Sequence, residues 1–428
     1  MMQKKKIKLV TFAPHPNFGT CLQSYALNTT LRKMGHEVEF IYNCRENPPK
    51  PWKYYAKQCI KFLLPKKLTQ NIKKKRLANK TVKQSTIVNK NPYILRLPNN
   101  VIGYYLDKVP FFHRLATSWK YNKNLQWKKV YKFTFLDGNF QMKRIFTHKQ
   151  YSEVMKDADL FITGSDQIWN PFCGGYNPMM FLEFVNDGTK CIAYSSSISQ
   201  PQIHPSIKNR MRTALQKFSH IAVREQSSVD LLNELLNRRD IKLVVDPTYI
   251  LSADEWTEFG KKAIIEFEVP KKYIFCYFVG DKRKNVYEEM VQDVKRFTGI
   301  NDVITLDCYN RDYAYGGGRL YNDAGPYEWV YLLQHASYIC MDSFHATVFA
   351  LKLQKEFVHA MKNDDTEVGS QNTRMYDILN RYGLLYKNYN NDYSIKWQDT
   401  IDYKRVSLII DKEIKDSLDY LKNELTRS

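Results

Sequence analysis

A chain of 428 residues exceeds the usual reach of a single hydrophobic core, so two domains are expected. Its 43% hydrophobic and 14% aromatic content excludes a disordered protein. The formal net charge of +21 demands an anionic partner, with nucleic acid, an anionic membrane surface and an anionic substrate as the physical candidates.

Residues 1–12 are basic and then apolar, and the apolar run is too short for a signal sequence. Residues 7–12 read as a buried strand, followed by a loop ending in Asn17, Phe18 and Gly19. A helix is predicted over about 20–34 with Gly35 as its stop, and residues 38–42 return as a second strand. Such a βαβ unit predicts a parallel sheet. It lacks the G-x-G-x-x-G fingerprint, and Asn43 stands where an acidic ribose ligand belongs, so a nicotinamide or flavin cofactor is disfavoured.

Residues 50–131 read as an insertion rich in Lys, Asn and aromatics. No carboxylate occurs between Glu46 and Asp107, whereas Lys73, Lys74, Lys75 and Arg76 sit within a long series of cations. With Trp52, Tyr54, Tyr55 and Phe62 interspersed, the block suits reversible docking on an anionic membrane surface. A solvated basic face is the plainer account. Nucleic acid ranks last, because Lys outnumbers Arg and no RNA-binding signature accompanies the aromatics.

The strand rhythm resumes at Leu160, with core strands predicted over 160–163, 191–194, 220–223 and 243–245. Ser227 and Asp230 predict a capping box for a helix over 229–236. Asp246, Pro247 and Thr248 close the first half, and residues 251–269 read as the crossing to a second strand-and-helix set. Its strands are predicted near 273–279, 303–306 and 338–341, and the Gly316-Gly317-Gly318 run suggests a mobile loop. The expected fold is α/β: two Rossmann-like domains facing a cleft, one over 1–250 carrying the basic insertion, one over 251–428 ending in a helix. The eight cysteines form no C-x-x-C pair and read as free thiols, mostly buried, in a reducing compartment, with neither a disulfide framework nor a metal cluster. No apolar stretch approaches a membrane span, so a cytoplasmic protein, peripheral at most to the inner face of the cell membrane, is expected.

In open α/β sheets ligands bind beyond the carboxyl ends of strands. That rule selects Asn17, Gly19, Gly164, Ser165, Asp166, Gln167, residues 195–197, Arg224, Ser343 and His345. His345 falls in the first turn of a predicted helix, where free N–H groups and the dipole favour phosphate or carboxylate. The blander account is that Asp342 and Ser343 only cap this helix and His345 packs against a neighbour. Arg224 offers a fork for a planar anion, with an ion pair to Glu225 as the rival account. Residues 164–167 are a turn bearing a carboxylate, and on their own equally ordinary turn chemistry. These residues say no more than an anion-binding α/β enzyme.

More comes from an ordered set of motifs: Asn17-Phe18-Gly19-Thr20, Gly164-Ser165-Asp166-Gln167-Ile168-Trp169-Asn170-Pro171, Val223-Arg224-Glu225, Val245-Asp246-Pro247-Thr248, Asp342-Ser343-Phe344-His345 and Asn372-Thr373-Arg374. The set resembles the polysaccharide pyruvyl transferase family, over nearly the whole chain except residues 50–131. The resemblance implies a fold similar to GT-B glycosyltransferases, phosphoenolpyruvate as donor, a saccharide acceptor (a lipid-linked one included), a cyclic pyruvate ketal as product and no cofactor. It implies that Arg224 and His345 surround the donor. Some members carry a base two positions before that His; Ser343 stands here, and Arg374 is the substitute. His345 would contact phosphate and supply a proton, and Asp166 would act as base or acceptor contact. The rival readings are a nucleotide-sugar glycosyltransferase of the same fold and a non-enzymatic membrane-surface or nucleic-acid binder.

Overall fold

The computed structural model describes residues 3–12, 17–43, 125–145, 148–173, 175–186, 188–307, 313–389 and 396–426. Most of the basic insertion, with the membrane-docking expectation placed on it, lies outside these residues.

The first sheet has seven parallel strands: β1 (Lys6–Val10), β2 (Glu37–Asn43), β3 (Met142–Ile145), β4 (Leu160–Thr163), β5 (Cys191–Ser196), β6 (His220–Val223) and β7 (Lys242–Leu243), in the order β3-β2-β1-β4-β5-β6-β7. The second has six: β8 (Ile274–Tyr277), β9 (Val303–Leu306), β10 (Arg319–Tyr321), β11 (Tyr338–Met341), β12 (Phe357–Ala360) and β13 (Asn388–Tyr389), in the order β10-β9-β8-β11-β12-β13. Both are doubly wound, with strand order reversing between β1 and β4 in one and between β8 and β11 in the other, and this is where such sheets open a crevice. β4, β5, β8 and β11 are buried at every residue, which is why they read in sequence as unbroken apolar runs.

One apolar cluster runs from Ile7 and Phe18 under the first sheet to Trp329 and Met341 under the second. Phe18 carries the contact, its ring centroid 6.1 Å from that of Tyr277 and 6.4 Å from that of Trp329. The terminal helix Tyr403–Thr426 binds the two halves together. At its start the Tyr403 hydroxyl donates to the Ala350 carbonyl at 3.4 Å. Further on, Ser417 Oγ accepts from Val245 N at 3.0 Å and the Tyr420 hydroxyl donates to the Ala193 carbonyl at 3.3 Å. The result is the two-domain α/β arrangement expected from the sequence.

Two local expectations change. The Ser227–Asp230 capping box does not form: the helix is Gln226–Leu236, Glu225 precedes it without a side-chain cap, and Ser227 Oγ donates instead to Asp377. The triple-glycine run is a tight turn packed on the helix Lys284–Thr298. Lys295 Nζ donates to the Gly316 carbonyl at 2.9 Å, and a Cβ on Gly318 would lie 2.3 Å from the Val303 carbonyl oxygen. Among the described residues Cys21, Cys191, Cys276 and Cys340 are buried free thiols, and Cys173 is half-buried.

Candidate active site

The carboxyl ends of β1, β4 and β6 converge on that of β11, and they deliver the same short list of side chains that the strand-end rule selects. Asn17 caps the helix Phe18–Lys33, its Oδ1 accepting from Thr20 N at 3.4 Å. Ser343 caps the helix Phe344–Lys352, its Oγ accepting from Ala346 N at 3.4 Å. Asp342 braces the turn after β8, accepting from the backbone N–H groups of Val279 and Gly280 at 2.5 and 2.6 Å. The capping role weighed for Ser343 in the sequence is therefore present, and it leaves His345 free of that duty. The two helix N-termini meet at Gly19. A Cβ there would lie 2.4 Å from His345 Cγ, so only glycine allows this approach.

Arg224 lies at the centre, 4% exposed, and its guanidinium is clamped by three carboxylates. Its Nε donates to Glu225 Oε1 at 3.0 Å, Nη1 to Asp246 Oδ2 at 2.9 Å and Nη2 to Asp166 Oδ1 at 3.2 Å. His345 Nε2 stands 3.5 Å from both Arg224 Nη1 and Asp246 Oδ2. Burial works against the charged form of Asp166, yet the neighbouring His345 ring and Arg224 guanidinium more than offset it and hold the carboxyl far below the usual range. Asp246 is depressed for the same reasons, while burial pushes Glu225 up despite Arg224.

The remaining neighbours fix this cluster. Asp166 also accepts from Thr20 Oγ1 at 2.6 Å and from Gln167 N at 2.8 Å. Ser165 Oγ lies 3.3 Å from Asp246 Oδ2 and 3.0 Å from Ser195 Oγ, so it ties strand ends together inside the protein. Gly164 has φ of 124°, and a Cβ there would lie 2.0 Å from the Tyr194 carbonyl oxygen. Thus Gly164 and Ser165 tie strand ends together, and both oxygens of Asp166 are engaged by protein donors.

Arg374 is the second buried cation, on the helix Thr373–Arg381. Its Nη2 lies 3.2 Å from Gln371 Oε1, and with the Gln167 amide turned to present its oxygen, Nη1 donates to that oxygen at 2.6 Å. Its Nε has no partner among the described residues. Burial and the Arg224 charge both lower its proton affinity, so an incoming anion relieves the strain of two neighbouring cations. Phe344 lies between them, its ring centroid 4.2 Å from Arg224 Cζ and 5.6 Å from Arg374 Cζ. Cys173 sits beside the same amides, 3.6 Å from the Gln167 side-chain amide and 3.5 Å from Gln371 Nε2, and burial pushes its thiol up. Among the described residues no metal-binding cluster of His, Cys, Asp or Glu is present.

Sequence reasoning gave no role to Asp246, Phe344, Cys173 or Gln371. Asp246 had a signal: an Asp after a strand and before Pro caps a helix, and its Oδ1 accepts from Thr248 N at 3.1 Å. Its other oxygen is thereby aimed at Arg224.

His359, at the end of β12, packs behind the site, with Nδ1 3.3 Å from Thr347 Oγ1 and Nε2 unpartnered among the described residues. Burial, then the charge of Arg374, lowers its pKa from 6.5 to about 3. The unfolded chain therefore binds the extra proton, and the stability this histidine contributes above pH 6.5 is lost as pH falls toward 3. We expect acid unfolding followed by circular dichroism to show it: His359→Gln should flatten the decline by up to about 1.4 kcal/mol per pH unit. An unchanged slope would assign acid sensitivity to other groups.

Several solved structures align with the chain at low identity. Arabidopsis thaliana UGT89C1 complexed with UDP-L-rhamnose is 10% identical, with 99% of this chain and 100% of that chain covered and a TM-score of 0.48. The putative UDP-N-acetylglucosamine 2-epimerase from Listeria monocytogenes is 9% identical, covering 97% and 91%, with a TM-score of 0.48. The glycosyltransferase SnogD from Streptomyces nogalater is 12% identical, covering 99% and 96%, with a TM-score of 0.41. No curated protein matches the chain significantly. No helix among the described residues is long and apolar enough to cross a membrane. The family comparison is decisive: the polysaccharide pyruvyl transferase profile matches residues 17–365, a span that includes Asp166, Arg224, Asp246 and His345, and the chain belongs to the polysaccharide pyruvyl transferase family.

Proposed function

We propose that this protein transfers pyruvate from phosphoenolpyruvate to two hydroxyls of a saccharide, forming a cyclic ketal and releasing phosphate. The observation that carries the reading is a second buried cation, Arg374, whose Nε lacks a partner among the described residues and which lies across the Phe344 ring from the neutralised Arg224 cluster that His345 adjoins. Arg224 is not free to be the main anchor, because three carboxylates already engage it. Its role is to hold Asp166, Asp246 and Glu225 in place. Arg374 takes the anion, as a substitute for the base that Ser343 does not supply.

The chemistry assigns the remaining work. One sugar hydroxyl adds to C2 of the donor as C3 gains a proton to become a methyl group. Phosphate then leaves from C2 and the second hydroxyl closes the ring. Of the two hydroxyl protons, one is balanced at C3 and the other leaves on phosphate. His345 supplies the C3 proton, and Asp246, 3.5 Å from its Nε2, orients the ring. Metal coordination has no step to perform in this scheme, and a lipid-linked acceptor would place the enzyme at a membrane surface.

Calorimetry tests the donor assignment. Phosphoenolpyruvate should bind the wild-type protein, and a nucleotide sugar should not. Arg374→Ala should weaken donor binding by roughly 10–150-fold, the value of a hydrogen bond to a charged group. Nucleotide-sugar binding without phosphoenolpyruvate binding would favour a glycosyltransferase instead. Gly19→Ala checks the placement of His345. The new methyl displaces the ring, and turnover should fall by about 10²-fold with circular dichroism unchanged.

A further inference from the structure

A cavity of about 410 Å³ opens between the end of β7 and the helix Thr373–Arg381. That volume is in the range of ligand sites. Its floor is the charged cluster itself, with Arg224, Asp246, Phe344 and Arg374, and its mouth is marked by the exposed Gln226 and Asn380. One helix supplies much of the wall. Arg374, Asp377, Ile378 and Arg381 follow the spacing i, i+3, i+4, i+7 and so share the face turned to the cavity.

Resting on the function proposed above, we infer that this cavity binds the acceptor saccharide, with Asp377 and Asn380 contacting its hydroxyls. Three observations favour a sugar over the donor. The lining combines aromatic faces, Tyr249, Tyr382 and Phe344, with carboxylates and amides, the mixture that suits C–H faces and hydroxyls of a pyranose ring. Of the lining cations Arg224 is clamped by three carboxylates and Arg381 is paired with Glu413, so only Arg374, at the floor, is left for the anionic donor, and the wall above it offers hydroxyl partners such as Asp377 rather than a second anion site. Finally, Asp377 presents an unused acceptor: Ser227 N and Oγ both donate to its Oδ2, and Oδ1 has no protein partner among the described residues. Burial raises the pKa of this carboxyl, which strengthens it as an acceptor of hydroxyl protons. A sugar seated here reaches the donor through the floor, and the rest of the saccharide leaves through the mouth.

The test uses the full-length protein and methyl β-D-glucopyranoside or methyl β-D-galactopyranoside, simple sugars whose free 4- and 6-hydroxyls could close a six-membered ketal. Saturation-transfer NMR reads the sugar, with and without phosphoenolpyruvate, and calorimetry reads the donor separately. Asn380→Trp plugs an exposed rim position without disturbing the core, and Asp377→Asn keeps the shape while removing the charge. At least one sugar should receive saturation from the wild type. Both variants should weaken that signal by about tenfold while donor affinity stays within about twofold. No transfer from the wild type, or equal transfer from all three proteins, overturns the assignment. Loss of donor affinity in either variant would give the cavity to phosphoenolpyruvate and overturn it equally. Should the wild type fail to bind phosphoenolpyruvate, the donor reading fails, and the sugar experiment without donor still decides the cavity.

Discussion

His345→Ala is expected to lower turnover by roughly 10²–10⁴, the usual contribution of a positioned general acid. The histidine is 4% exposed, sits in the first turn of the helix Phe344–Lys352 and faces a carboxylate, so removing the ring deletes the proposed proton donor without changing the cap made by Ser343. The split between constants is informative. Loss of a proton donor lowers kcat, whereas loss of a phosphate contact alone raises KM with kcat nearly kept. His345→Gln, which keeps a hydrogen-bonding side chain of similar reach, should restore donor affinity but not turnover. Wild-type kcat in both variants would remove His345 from the chemistry.

Arg224→Ala should act on folding before it acts on catalysis. The side chain is 1% exposed, and its removal leaves Asp166, Glu225 and Asp246 facing one another in a dry interior. Breaking a buried ion cluster from one side costs about 3–5 kcal/mol. Denaturant unfolding should report a loss of that size, and Arg224→Lys should recover only part of it, because an ammonium cannot bridge three carboxylates in a plane. Arg374→Ala makes the contrast. No described carboxylate forms an ion pair with Arg374, and the positive charge of Arg224 lies nearby, so its loss should cost donor binding and little stability. If Arg224→Ala unfolds like the wild type and instead loses donor affinity, the roles given to the two arginines are reversed.

These two arginines also show where the sequence stopped being legible. The strands buried on both faces, β4, β6, β9 and β11, could be placed to the residue, because a parallel sheet leaves continuous apolar runs. The edges could not: β3 is Met-Lys-Arg-Ile, β10 has three residues and β13 has two, too short and too polar for any pattern to register. Strand ends then selected most of the site, because a doubly wound sheet leaves few other places for a ligand. Pairing was another matter. Asp166 is 58 residues from Arg224, and Asp246 is 22 away, so the choice between an anion ligand and an ion pair needed three dimensions. Asp377 meets Ser227 across 150 residues, and local pattern had assigned that serine to a capping box. Helical spacing from Arg374 could have pointed to Asp377 and Arg381, since the three share one face.

The central claim is the reaction, and its products test it most directly. The protein should be incubated with phosphoenolpyruvate and an oligosaccharide acceptor, with phosphate release followed by ³¹P NMR and the sugar by mass spectrometry. The account predicts one phosphate released per acceptor modified, and an acceptor mass increased by one pyruvate less one water. A sugar residue added from a nucleotide sugar, with phosphoenolpyruvate left intact, would contradict it.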